Sequence, residues 1–355
     1  MTRVLSVDAA GNLWGSERAL LDLVVAAKDV EFAVCCPPGK PLEAEFRRRG
    51  VRTLPYFIDD LHHKPRWRRL QAAFGLLRAC LAFRPDVIHL NQSGAYKVAL
   101  PAARLLRLPI LAHVRIFEDA AYLAKQNVER LRAMIAISRA IEDEIATLPA
   151  LAPVGRHRIY DVYIPAGAGA ATARNARKAA CVGRVMPTKG QDILIGALTL
   201  LKNENIACDI AGEGDARFTQ MLKTKVADAR LSGLAWLGNV FDPVDLLRSC
   251  AVLACPSWRE PLGRVILEAW DAGAVPVVYA GSSGAAEIVA ASGGGILYEE
   301  QTPQALAKAL LAAVNLEDSE RETFVARGRA WMAENCGAVA AGGAFSDLIA
   351  GVRRN

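Results

Sequence analysis

Short apolar runs alternate with longer amphipathic stretches along most of the chain. The runs Val4–Val7, Phe32–Cys36, Val87–Leu90, Ile110–Val114 and Met134–Ile137 have the length and composition of buried strands. Between them, Glu17–Ala27, Pro65–Phe83 and Ala95–Leu106 carry apolar residues at helical spacing. The alternation pauses at Ile164–Arg177, IPAGAGAATARNAR, which is small-residue-rich and then basic, as a linker is. A second series follows. Strands are expected at Ala180–Val182, Ala207–Ala211, Ala235–Leu237, Val252–Ala254 and Val275–Tyr279, and helices at Gln191–Leu201, Arg217–Ala229, Pro243–Arg248 and Gly263–Asp271. Pro303–Cys336 reads as mostly helical, and Ala338–Val352 has the spacing of one more helix.

Strand and helix in alternation imply parallel sheets covered on both faces. The expected fold is therefore α/β, with two Rossmann-like domains facing a central cleft. The expected boundaries are 1–164 for an acceptor-side domain, 165–178 for the linker and 179–337 for a donor-binding domain. A terminal helix at 338–355 would cross back to the first domain. A chain of 355 residues suits two domains, each with its own core. Open parallel sheets bind ligands at the C-terminal ends of their strands, so the chemistry is sought there.

Composition narrows the class. The chain has 43 basic and 37 acidic residues, a net charge of +6. This modest excess suits phosphate-bearing ligands or an anionic membrane surface and does not argue for nucleic acid. The eight cysteines form no CxxC pair and lie mostly in apolar runs, the pattern of reduced, buried thiols in a cytosolic protein. The N-terminus reads as a strand and not as a signal peptide. No run of about 20 apolar residues is evident, so no spanning helix is expected. There is no D-x-D, no H-E-x-x-H and no His/Cys cluster, so no metal is expected.

Three loops carry the candidate chemistry. In PSWREPLGRVILEAWDAG, Pro256–Gly273, Glu260 and Glu268 are separated by seven residues. Pro261 and Gly263 stand where a helix begins, and a helix N-terminus offers amides to phosphate. A carboxylate at Glu268 suits the vicinal hydroxyls of a ribose; the plainer reading makes it a solvated helix charge. In CVGRVMPTKG, Cys181–Gly190, Arg184 and Lys189 follow Gly183 at a strand-to-helix turn. Two cations there suit a diphosphate, although two surface cations would look the same. In AAGNLWGSER, Ala9–Arg18, Gly11 and Gly15 permit close backbone approach and Ser16 can cap the helix. Weaker signals are Gly212 and Gly214 in AGEGD, the segment Gly281–Glu287, and His113 at a strand end. Leu61–Arg84 is basic at its start. As a helix it sets Trp67, Leu70, Phe74, Leu77 and Leu81 in one stripe, with Arg47–Arg49 near in sequence. That segment reads equally as a core helix or as a surface for an anionic membrane.

Together these strings resemble the retaining glycosyltransferases of family 4, which have the GT-B fold. GRVMPTKG resembles that family's Gly-Arg…Lys-Gly loop, AGEGD its Gly-x-Gly segment, WLGNV its Leu-Gly turn, and PSWREPLGRVILEAWDAGAVPVV its E-x7-E helix and following strand. In the N-terminal half, WGSERALLDL, RPDVIHLN, AISRAIEDEI and IPAGAGA resemble the family's first loop, third-strand region, last helix and linker. The resemblance covers nearly the whole chain. It implies a donor substrate, a nucleoside-diphosphate sugar, and no cofactor. Arg184 and Lys189 would neutralise the diphosphate, Glu268 would hold the ribose and Glu260 the sugar hydroxyls. Amides at Leu262 and Gly263 would hold sugar or phosphate. Gly183, Gly212, Gly214, Asn239 and Val240 would line the donor, with Gly15 and His113 contributed by the first domain. A glycan or glycolipid acceptor is implied, in cell-surface glycan or lipopolysaccharide synthesis, with the enzyme cytoplasmic or peripheral at the inner membrane face. Trp14, Ala166 and the SSGAAE segment depart from the family pattern and bear on donor identity. A nucleotide-sugar epimerase of similar fold and a non-catalytic nucleotide-sugar binder are the alternatives.

Overall fold

The computed structural model describes residues 1–56, 66–167 and 173–354. The chain divides into two units, Met1–Ile164 with Asn335–Asn355, and Pro165–Glu334. In the first unit the elements run β1 (Thr2–Val7), α1 (Gly15–Ala26), β2 (Val30–Cys36), α2 (Pro41–Arg48), β3 (Arg52–Pro55), α3 (Arg66–Phe83), β4 (Val87–Leu90), α4 (Tyr96–Leu105), β5 (Ile110–Val114), α5 (Phe117–Ala124), β6 (Leu131–Ala136), α6 (Arg139–Ala146) and β7 (Gly155–Arg158). The strands pair in parallel in the order β3-β2-β1-β4-β5-β6-β7.

The second unit holds β8 (Asn175–Val182), α7 (Gln191–Leu200), β9 (Ala207–Ala211), α8 (Ala216–Asp228), β10 (Leu234–Gly238), α9 (Pro243–Arg248) and β11 (Cys250–Cys255). These are followed by α10 (Arg264–Ala272), β12 (Val275–Tyr279), α11 (Gly284–Ser292), β13 (Ile296–Tyr298), α12 (Pro303–Val314) and α13 (Asp318–Cys336). Its sheet is parallel too, in the order β10-β9-β8-β11-β12-β13. In each sheet the order reverses beside the first strand, at β1/β4 and at β8/β11. That reversal opens a crevice at the strands' C-terminal ends.

The central strands read as continuous apolar runs because both faces of each sheet are covered: β11 is buried at all six positions. Local chemistry sets the helix starts. Asp215 accepts from the Phe218 amide at 2.6 Å at the head of α8. Thr302 accepts from the Ala305 amide at 3.2 Å at the head of α12, with Pro303 in the first helical position. All eight cysteines are buried and none forms a disulfide.

Four expectations need correction. Ser16 does not cap α1; Glu17 does the work, accepting from the Trp14 amide at 3.1 Å, and the Ser16 hydroxyl donates to Glu17 at 2.9 Å. The stripe on α3 is not a core face: Ala72, Leu76, Ala79, Cys80 and Phe83 are buried, while Trp67, Leu70, Phe74 and Leu81 are exposed. The start of that segment, 61–65, lies outside the described residues. Arg47–Arg49 are neutralised locally, Arg47 by Glu43, Arg48 and Arg49 by Glu45. Lastly, Asp318–Val352 is long and apolar enough to pass for a membrane-spanning helix.

Its apolar residues have another place, however. A π-helical turn at Ala338–Gly342 leads into α14 (Gly343–Arg354). Ala341, Phe345 and Ile349 are buried in the first unit's core with Leu20, Phe32 and Leu111. The Phe345 ring stacks on Phe32 at 6.1 Å between centroids and meets His89 edge-on at 5.4 Å. Phe345→Ala is expected to lower the unfolding free energy of the first unit by about 3–5 kcal/mol, read from denaturant unfolding. A change below about 1 kcal/mol would show that α14 is not anchored there.

Candidate active site

Four loops at the C-terminal ends of β8, β9, β11 and β12 gather the second unit's candidates. The loop after β8 holds Gly183, Arg184 and Lys189; that after β9 holds Gly212 and Gly214. The loop after β11 holds Glu260, Leu262 and Gly263; that after β12 holds Ser282 and Ser283.

Backbone hydrogen bonds sew these loops together. The Gly183 amide donates to Ala211 at 2.9 Å, that of Val185 to Glu213 at 3.0 Å, and that of Asp215 back to Val185 at 3.2 Å. The Gly212 amide donates to Gly238 at 2.6 Å, which brings Asn239 and Val240 beside the β9 loop. The Trp258 amide reaches Thr188 at 3.2 Å, the Glu260 amide reaches Ser282 at 3.2 Å, and the Gly284 amide returns to Glu260 at 2.9 Å.

Glycine makes these approaches possible. A Cβ on Gly212 would fall 1.9 Å from the Gly183 carbonyl oxygen, and one on Gly190 2.2 Å from that of Pro256. Ser283 is held at φ 54°, a region a non-glycine residue rarely occupies, by the bridge to Glu260.

On this frame the Lys189 ammonium sits 2.5 Å from a Glu260 carboxylate oxygen, both side chains partly buried. Gly263 caps α10 in the left-handed conformation at φ 84°. Leu262 and Gly263 are buried at the helix head, where amides and helix dipole favour anions. Glu268 lies further along α10, buried, 3.6 Å from Arg264. It is therefore not the solvated charge of the plainer reading. Arg184 is exposed beside the Lys189 loop, and its carbonyl accepts from Gln191 Nε2 at 2.9 Å. The helix is fixed from behind: Trp270 is fully buried and its indole N–H donates to Gly294 at 2.7 Å.

Gly15 and His113 belong to the first unit. Gly15 is exposed at the first turn of α1. His113 is buried at the end of β5 in the chain Ser6 Oγ···His89 Nδ1 (2.9 Å) and His89 Nε2···His113 Nδ1 (2.7 Å). Only its Nε2 lies outside that chain. Burial, then the Arg115 charge, lowers His89 to about 3; the same causes with His89 itself hold His113 well below the usual range. A neutral His113 suits hydrogen bonding and not proton uptake.

The sequence reading missed a second cluster at these strand ends. Asn91 Nδ2 donates to Asp8 at 2.8 Å, Arg115 donates to Asn91 Oδ1 at 2.9 Å, and Arg115 pairs with Asp161 at 2.5 Å, all buried. Gln92 Nε2 donates to Glu17 at 2.9 Å. Burial, then the Asp8 charge, pushes Glu17 up to about 7, and burial raises Asp8. The available signal was polar residues directly after apolar strands: Asp8, Asn91 and Arg115 each end such a run.

Comparison with known proteins gives this arrangement its class. Residues 15–161 match the glycosyl transferase 4-like domain, and residues 170–331 match glycosyl transferases group 1. The chain therefore belongs to the group 1 glycosyltransferases, a family of GT-B fold with two parallel-sheet α/β domains. An uncharacterised glycosyltransferase of Methanocaldococcus jannaschii is 32% identical over 139 residues, 39% of this chain and 38% of its own length. The chain thus spans well under half the length of that curated relative. Among solved structures, Anabaena HepE in complex with UDP and glucose superposes with a TM-score of 0.82 at 19% identity, covering 99% of this chain and all of the other. The lipopolysaccharide outer core galactosyltransferase WaaB in its apo form gives 0.68 at 14% identity, with 99% of each chain covered.

Two measurements follow. Gly190→Ala is expected to destabilise the second unit by 2 kcal/mol or more, whereas Gly39→Ala, also at positive φ but with nothing within 4 Å of the new Cβ, should cost about 1 kcal/mol. Equal effects in thermal and denaturant unfolding would dismiss the close-packed loops. Between pH 6.5 and about 3 the unfolded state binds a proton that His89 refuses when folded, and His113 acts in the same direction. Stability is therefore present above pH 6.5 and is lost as pH falls, by about 1.4 kcal/mol per unit from His89. His89→Gln should flatten that acid slope by one proton in urea titrations at successive pH values.

Proposed function

We propose that this protein is a retaining glycosyltransferase that moves a sugar from a nucleoside-diphosphate sugar to a glycan or glycolipid acceptor. The observation that carries the reading is the Lys189–Glu260 pair, set in a backbone cradle at the head of α10, with Glu268 buried along the same helix.

In the proposed complex Lys189 turns to the diphosphate and Glu260 to the sugar hydroxyls, so each holds the other in place until the donor arrives. Arg184 adds a second, forked cation. Glu268 accepts from the ribose hydroxyls, and amides at Leu262 and Gly263 add donors for the leaving phosphate. Gly183, Gly212, Gly214, Asn239 and Val240 line the same donor, and Gly15 and His113 are the first unit's candidates for contact with it.

Retention is proposed through front-face displacement: the acceptor oxygen attacks the anomeric carbon as the diphosphate departs, and the departing phosphate takes the acceptor proton. The site offers cations and amides for the charge that grows on the leaving group, which is electrostatic catalysis. Because these cations do that work, we expect activity to survive EDTA.

A UDP-sugar is the first donor to try, supported by the UDP and glucose bound to HepE. Cell-surface glycan or lipopolysaccharide synthesis is supported by the likeness to WaaB. The same reading puts the enzyme on the cytoplasmic side, in keeping with its eight buried cysteines, none of them in a disulfide.

The purified chain is to be screened by thermal shift and nucleotide release against UDP-, GDP-, ADP- and dTDP-sugars. One donor should stabilise it, and Arg184→Ala should remove the shift. With an acceptor in hand, Arg184→Ala and Lys189→Ala are each expected to lower kcat by about 100-fold, roughly 3 kcal/mol. Near-normal turnover in both would refute the proposed role. Donor conversion without acceptor would make the protein an epimerase, and tight donor binding without turnover a binder.

A further inference from the structure

The tryptophans of the second unit differ in their surroundings. Trp270 is fully buried and bonded to Gly294, Trp331 packs against its ring at 6.1 Å between centroids, and Trp236 has the Lys223 ammonium 5.8 Å from its ring centre. Trp258 is 53% exposed, and among the described residues its indole enters no hydrogen bond, ring pair or cation contact. A single exposed aromatic is ordinary on a protein surface. This one stands on the loop after β11, which also carries Glu260 of the candidate site.

The backbone beneath it is fixed. The Pro256 carbonyl accepts from Gln301 Nε2 at 3.1 Å, the Trp258 amide donates to Thr188 at 3.2 Å, and the Glu260 amide donates to Ser282 at 3.2 Å. Ser257, between the first two tethers, is buried. Freedom at Trp258 is thus confined to its two side-chain torsions, and such a residue loses little entropy when a ligand covers it. Its neighbours are the groups assigned to the donor. Thr188 precedes Lys189, and Glu260 follows two residues on, so the Cα atoms of Trp258 and Glu260 are at most about 7 Å apart. Depth orders these groups. The Lys189 and Glu260 side chains are only 24% and 15% exposed, whereas Trp258 stands in solvent. The ligand held by Lys189 and Glu260 is the inner one, and what covers Trp258 arrives outside it.

A pyranose has a face of C–H groups and a rim of hydroxyls. The C–H face lies flat on an indole, whose π surface is negative, while the hydroxyls keep polar company. Trp258 offers one such surface between two polar residues, Ser257 and Arg259. An acyl chain would call for a wider apolar surface than one ring.

We propose that Trp258 is the platform on which a pyranose ring of the acceptor glycan stacks, beside the donor sugar at Glu260. The platform presupposes the sugar transfer proposed above, so the two are tested by separate readouts.

The whole chain is to be compared with its Trp258→Ala and Trp258→Phe variants. Saturation-transfer NMR with maltotetraose, cellotetraose and chitotetraose, with and without UDP, reads glycan binding and needs no turnover. At least one of the three is expected to bind the wild type, about tenfold more weakly after Trp258→Ala and within about threefold after Trp258→Phe. Thermal shift with the donor found in the screen should be equal in all three proteins. With an acceptor in hand, Trp258→Ala should raise the acceptor KM about tenfold and leave the donor KM in place. The platform is overturned if no oligosaccharide binds the wild type, or if Trp258→Ala binds as the wild type does. It is also overturned if that variant loses the donor shift instead, which would give the ring to the donor sugar. Absence of any donor shift in the wild type would count against sugar transfer, whereas glycan binding lost in Trp258→Ala would still support the platform.

Discussion

The second unit's site depends on backbone packed directly against backbone. Four loops meet at the ends of β8, β9, β11 and β12, and their amides and carbonyls are partners to one another. Such contact leaves no room for side chains at Gly190, Gly212, Gly214 and Gly284, where an added Cβ would lie 1.9–2.2 Å from a carbonyl oxygen. A loop held in this way has little freedom to lose on binding, so the charged groups it carries are already placed. Lys189 and Glu260 lie on different loops, yet their pairing needs only those fixed backbones and one rotamer each.

The first unit solves a similar problem with side chains. Its strand ends carry Asp8, Asn91, Arg115 and Asp161, buried and joined by hydrogen bonds. Buried charges of this kind are tolerable because each finds a partner, and a network with every member satisfied resists rearrangement. The two units thus share a topology and differ in how they stiffen the same end of it.

Much of this was legible in the sequence. Strands Val87–Leu90, Ile110–Val114, Ala207–Ala211 and Val275–Tyr279 agree with the observed bounds, because buried parallel strands are unbroken apolar runs. The loops holding Arg184, Lys189 and Glu260 stand out in the sequence because glycines and cations directly after strands are conspicuous. Other elements left weaker marks. Strand β3 is half-exposed and four residues long, and α2 is held by surface ion pairs, so neither shows a clean period. The direction of the α3 stripe was not legible, since both faces of that helix are apolar and only packing shows which one is covered. The Asp8–Asn91–Arg115 network was missed because its members come from strand ends far apart in the chain.

The return of the chain's last segment to the first unit has a consequence for biosynthesis. Residues 1–164 emerge from the ribosome well before Phe345 and Ile349, which complete their core. The inserted unit, 165–334, is fully synthesised before the final helix exists. The half of the protein made first is thus the half that must wait to finish folding, and the apolar floor under α14 stays open to the translation machinery and its chaperones in the interval.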